Sequence, residues 1–88
     1  MQGVPPAKPR PRDRRALATA VREARSGLRL SQEELSLAAG LNRQFVNELE
    51  SGRRRVSFES VCAVAEAMDM PMHELIDRFE RAHARDRG

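Results

Sequence analysis

The sequence predicts an all-α fold, a bundle of five short helices, from three observations. Trp and Tyr are absent and only three Phe occur, so the apolar set is mainly Ala, Leu, Val and Met, which suits helix packing better than sheet packing. Apolar residues recur at helical spacing in five segments. Those segments are punctuated by residues that start helices (Ser31, Asn42, Ser57, Pro71) and residues that end them (Gly27, Gly40, Gly52).

The first helix runs from Ala16 or slightly earlier to Ser26, with Leu17, Ala20, Val21 and Ala24 on one face and Gly27 near its end. Ser31-x-x-Glu34 is a capping box that starts the second, in which Leu35, Ala38 and Ala39 follow at helical spacing. Gly40 supplies the positive φ that ends it within one residue. Asn42 caps a third helix, and Gly52 closes it. Phe45, Val46 and Leu49 form its apolar stripe, leaving Arg43, Gln44, Asn47 and Glu48 for other faces. Ser57 caps the fourth, whose stripe is Phe58, Val61, Val64, Ala65 and Met68. Pro71 suits the first turn of the fifth, with Met72, Leu75, Ile76 and Phe79 at i, i+3, i+4 and i+7. Residues 1–12 hold four of the five prolines and are expected to be a disordered basic tail, followed by a folded domain over 13–81 and a flexible tail over 82–88.

Length and composition exclude several functions. With 88 residues the chain makes one domain with little room for a buried catalytic cleft, so an enzyme is not expected. Neither a membrane-length apolar run nor a signal peptide is present, which predicts a cytoplasmic protein with no membrane partner. The single Cys62 lies in a helical apolar pattern and reads as a buried or half-buried thiol rather than a redox sensor. His73 and His83 have no Cys or carboxylate set at metal-ligand spacing, and no Gly-rich phosphate loop or catalytic triad is visible, so no metal, cofactor or catalytic residue is assigned.

Net charge is +3, and its distribution is more informative than its size. Residues 1–15 carry +4, residues 16–80 carry −3 and residues 81–88 carry +2. Within the domain, residues 43–55 hold Arg43, Arg53, Arg54 and Arg55 against Glu48 and Glu50, whereas residues 56–80 hold six acids and only Arg78. One end attracts phosphate and the other repels it, which orients the molecule on a polyanion.

Two helices as short as those of Ser31–Gly52, joined by a glycine-bearing turn, match the helix-turn-helix motif, whose second helix enters the DNA major groove N-terminus first. Ser31-Gln32-Glu33-Glu34-Leu35, Ala39-Gly40-Leu41, Leu49-Glu50-Ser51-Gly52 and Val56-Ser57-Phe58 resemble the Cro/C1-type (phage repressor, XRE) helix-turn-helix family over Ala16 to Phe79. The resemblance implies a five-helix, lambda-repressor-like domain and a sequence-specific, double-stranded-DNA-binding transcriptional regulator, a dimeric repressor or autoregulator reading a palindromic operator through residues 42–51. It also implies roles. Gln32 binds a phosphate; Arg43, Gln44 and Glu48 face base edges beside Asn42 and Asn47; Arg53, Arg54 and Arg55 run along the backbone. Asn42 mainly caps, and Glu48, an acid where the family is neutral or basic, is expected to stay solvated rather than accept from a cytosine amine. Arg25 and Glu50 match a family ion pair between the first and third helices. Arg29 stands where the family often has glycine, two residues beyond Gly27. The tail from Lys8 to Arg15 is a candidate minor-groove arm, with a solvated tail as the other reading.

One recognition helix covers about half a turn of DNA, so a second copy is needed. The expected homodimer surface is Met70, Met72, Leu75, Ile76 and Phe79, and the chain resembles restriction-modification controller proteins, which dimerise through their last helices, in length and in Gly52–Ser57, with phage or plasmid repressors and antitoxins equally similar. The alternative is a protein-interaction module, such as an antitoxin that binds a toxin or another regulator, with Leu37 and Ala38 marking the partner patch.

Overall fold

The computed structural model describes residues 11–87 and contains five helices: α1 (Pro11–Gly27), α2 (Gln32–Ala39), α3 (Arg43–Glu50), α4 (Phe58–Ala67) and α5 (Met72–Arg87). Among the described residues there is no strand. None of these helices is long and apolar enough to cross a membrane.

The helix starts follow the sequence closely. Ser31 Oγ accepts from the Glu34 amide at 2.9 Å while Glu34 Oε1 accepts from the Ser31 amide at 2.8 Å. Asn42 Oδ1 accepts from the Phe45 amide at 2.7 Å, and Ser57 Oγ from the Ser60 amide at 3.1 Å. Each bond satisfies a first-turn amide that has no partner inside its helix.

The helix ends share one device. Leu30 and Arg29 amides bond back to Arg25 and Ser26 carbonyls, Leu41 and Gly40 to Ser36 and Leu37, Arg53 and Gly52 to Glu48 and Leu49, and Met70 and Asp69 to Ala65 and Glu66. These are paired 6→1 and 5→2 closures around a left-handed residue. Gly40 (φ 70°) and Gly52 (φ 73°) supply it at two ends, but Arg29 (φ 61°) and Asp69 (φ 52°) supply it at the others. The positive φ after α1 is therefore at Arg29, and Gly27 merely finishes the helix.

The core forms from Ala20, Val21, Ala24, Leu35, Val46, Leu49, Val64, Ala65, Met68 and Leu75, drawn from all five helices. Four expectations need correction. Phe58 is exposed, because it is the first residue of α4 and the inward face begins a turn later, with Val61 half-buried and Val64 buried. Leu75 is only 1% exposed inside this core, so it cannot line the surface of a second copy. Pro11 and Arg12, expected in the tail, open α1. Residues 82–87, expected to be flexible, are the last turns of α5, and Ala82 is buried. The last two have one cause: the N-terminal half of α1 and the C-terminal half of α5 cover each other. Ala16 and Ala18 are buried there, Arg15 Nη2 lies 3.0 Å from Asp86 Oδ2, and His83 Nε2 lies 2.8 Å from Asp13 Oδ1 while its ring meets Phe79. Arg14 and Arg15 are thus part of a packed helix rather than a free arm. The rest of the expected arm and tail, residues 1–10 and 88, lies outside the described residues.

Candidate nucleic-acid interface

Burial of Val46 and Leu49, with Phe45 half-buried beside them, fixes which way α3 faces. Arg43, Gln44 and Asn47 are consequently exposed on one side, with Glu48 half-buried next to them. Asn42 is committed through its side-chain oxygen to the cap of α3.

Beneath this face lies a polar network centred on Glu50, which is 4% exposed. Arg25 Nε and Nη2 donate to its two carboxylate oxygens at 2.6 and 3.0 Å, and Gln32 Nε2 donates to Oε1 at 3.0 Å. The hydrogen bond to Glu50, reinforced by its charge, raises the Arg25 pKa above the usual guanidinium value despite partial burial. Two features were not legible in the sequence. Arg22 Nη1 donates to the Glu50 carbonyl at 3.0 Å, capping the end of α3, and Arg25 Nη1 donates to the Leu30 carbonyl at 2.7 Å. The i, i+3 spacing of Arg22 and Arg25 was the available signal, since it puts two cations on one helix face.

Gln32 therefore does more than was expected of it. Its amide nitrogen holds Glu50, and its oxygen accepts from Asn47 Nδ2 at 3.3 Å. The start of α2 is tied in this way to the exposed side of α3, and Gln32 and Asn47 lie together.

Glu48 is partly exposed, as expected, but it is not free. Its Oε1 accepts from Arg54 Nη1 at 2.7 Å and its Oε2 from Gln44 Nε2 at 3.4 Å. The Arg54 and Gln44 hydrogen bonds lower its pKa below the ordinary carboxylate value. The Arg54 guanidinium also lies over the Phe45 ring, 4.7 Å from its centroid. Arg53 donates from Nε to Ser51 Oγ at 2.9 Å. Arg43, Arg53 and Arg55 are exposed and make no ion pair among the described residues. Arg43, Gln44 and Asn47 on α3 and Arg53 and Arg55 in the loop after it are exposed, with Arg53 near enough to the Glu48 carboxylate to add to its stabilisation.

A family model described as helix-turn-helix matches residues 21–75, a span that holds α2, the turn and α3. The chain belongs to the Cro/C1-type helix-turn-helix family. The chain is 32% identical over 68 residues to a protein of Rhodospirillum rubrum described as an uncharacterized transcriptional regulator in the ATPase CF(0) region, a match covering 77% of this chain. The chain spans 63% of that relative's length. Among solved structures, the restriction-modification controller protein C.AhdI from Aeromonas hydrophila is 36% identical with a TM-score of 0.70, over 72% of this chain and 96% of that one. The clp gene regulator ClgR from Corynebacterium glutamicum is 26% identical with a TM-score of 0.81, over 91% of this chain and 83% of that one.

Proposed function

We infer that this chain is a sequence-specific, double-stranded-DNA-binding transcriptional regulator without enzymatic activity, and that it acts as a homodimer on a palindromic operator. The observation that carries the reading is the exposed Arg43, Gln44 and Asn47 face of α3, set between Gln32 and the Arg53–Arg55 loop. Arg43 presents a fork that suits the O6/N7 edge of guanine, and Gln44 an amide that suits the N6/N7 edge of adenine. Gln32, Arg53 and Arg55 supply phosphate contacts that set the register without reading sequence. Names of similar proteins, a restriction-modification controller and a clp gene regulator, agree with a regulator of this kind. Such a protein works where the DNA is, in the cytoplasm, as a repressor or autoregulator.

The test is selection of bound duplexes from random sequence, followed by titration of the selected and scrambled duplexes. Arg43→Ala and Gln44→Ala should lose preference between the two. Replacing Arg53 and Arg55 should weaken binding to both alike and reduce the slope of log K against log salt by about 0.9 per phosphate contact removed. Loss of discrimination in the loop variant, with full discrimination kept by Arg43→Ala, would overturn the placement of the recognition helix. Leu37, 76% exposed on α2, favours the second reading, a protein partner. A stable complex with such a partner and no duplex bound at low salt would establish it instead.

A further inference from the structure

The acid on the reading face has a role of its own if the chain binds DNA as inferred above. We propose that Glu48 is a specificity-determining residue that acts by withholding Arg54 from phosphate and fixing the Gln44 amide.

Its position follows from the backbone. Gly52 takes a left-handed φ of 73°, and the Arg53 amide bonds back to the Glu48 carbonyl at 3.1 Å, so the loop after α3 reverses along that helix. Arg54 is thereby returned to the side chain of Glu48, six residues earlier. The guanidinium is held on two sides, by the carboxylate at 2.7 Å and by the Phe45 ring at 4.7 Å. The other carboxylate oxygen holds Gln44 Nε2 at 3.4 Å. One carboxylate therefore controls one loop cation and one base-reading amide.

This arrangement changes the balance between holding and reading. A cation gains affinity for any duplex by displacing counterions, whatever the sequence, so each additional phosphate-binding arginine raises specific and non-specific binding together. Pairing with Glu48 removes Arg54 from that set and leaves Arg43, Arg53 and Arg55. The orientation of Gln44, by contrast, bears on which base it can address. Glu48 consequently lowers sequence-independent attraction while pre-ordering a sequence-dependent contact, so its removal strengthens binding overall and weakens discrimination.

The test compares wild type, Glu48→Gln, Arg54→Ala and the double variant on a random-sequence duplex and on a duplex selected by the wild type. Glu48 is half-exposed, and helicity and melting temperature of each variant confirm the fold. Glu48→Gln should bind the random duplex more tightly, by up to about eightfold per protomer near about 0.1 M salt, with a slope of log K against log salt steeper by about 0.9 per protomer. The ratio of selected to random affinity should fall. In the Arg54→Ala background the same substitution should leave the salt slope unaltered. An unchanged random-duplex affinity in Glu48→Gln overturns the proposal. So does an equal steepening with Arg54 absent, since simple repulsion by the carboxylate would then account for it. Wild-type protein that binds no duplex at low salt would overturn the DNA reading itself, and the proposal with it; binding by wild type with an unaltered Glu48→Gln overturns the proposal alone.

Discussion

Arg29 holds a φ of 61° at the end of α1, a conformation that crowds the Cβ of any L-residue against its own backbone. Relief of that crowding exceeds the extra unfolded-state freedom of a glycine, so Arg29→Gly should stabilise the domain by roughly 0.5 kcal/mol in a denaturant melt. Gly52 has the opposite requirement at φ 73°, with the Arg15 backbone 3.5 Å from where a Cβ would stand. Gly52→Ala should cost about 1 kcal/mol and disturb the loop that presents Arg53–Arg55. Glu48 offers a titration at the same scale. Its hydrogen bond from Arg54 is the largest cause of its lowered pKa, so the carboxyl in Arg54→Ala should titrate closer to its ordinary value, higher than in wild type, by NMR. The sign is fixed: a carboxylate stabilised when charged contributes above its unfolded pKa and loses that contribution as pH falls through its lowered folded pKa, so without Arg54 the contribution is smaller and its loss is complete at higher pH. An unshifted titration would deny the pairing in solution. Residue identity made Gly40 and Gly52 legible in the sequence. It could not reveal Arg29 and Asp69, because a left-handed residue that is not glycine carries no local mark.

At the scale of elements, three helices were legible at their starts because Ser31, Asn42 and Ser57 bond amides three residues ahead, an interaction contained in local sequence. The outer ends of α1 and α5 were not. Small alanines and side-chain hydrogen bonds between residues about 70 apart hold them, such as His83 with Asp13 and Arg15 with Asp86. Their charge-rich composition reads as a solvated tail until each helix is seen beside the other. The α1–α2–α3 junction behaves differently, since the resemblance implied its Arg25–Glu50 pair and the structure shows it with two hydrogen bonds. The further links from Glu50 to Gln32 and Arg22 depend on tertiary approach, and the i, i+3 spacing of Arg22 and Arg25 was the one signal for either. Because Glu50 is buried, Glu50→Ala leaves the Arg25 guanidinium half-buried without its anion and frees Gln32. The expected loss is about 3 kcal/mol in thermal or denaturant unfolding. Weakened DNA binding should accompany it even below the melting range, through Gln32. A melting temperature equal to wild type would show that the network carries no stability.

Charge is unevenly distributed along the domain, with Arg43, Arg53, Arg54 and Arg55 in residues 43–55 and acidic residues prevailing over 56–80. On the proposed reading such a distribution favours one orientation on DNA, but a single α3 reads too little sequence for an operator, and a palindromic operator calls for a second copy. Of the surface expected for that contact, Leu75 belongs to the monomer core and Phe79 is half-buried against it and against His83. Ile76, 45% exposed on α5, is the apolar side chain there that the monomer does not use, with Met70 and Met72 half-buried nearby in sequence. Two copies meeting through this stripe would bury Ile76 against its symmetry mate, since the same patch faces itself across a two-fold axis. Ile76→Glu should place two like charges in that contact and give monomers that keep the wild-type helicity, because no core packing is lost. Sedimentation of wild type and variant across a range of concentrations measures this directly. The variant should also bind the selected duplex more weakly and with a single-step dependence on protein concentration, having lost the linked second half-site. A wild type that sediments as a monomer at every concentration, or an Ile76→Glu protein that remains dimeric, would remove α5 from the interface and leave the second half-site to be reached by another surface.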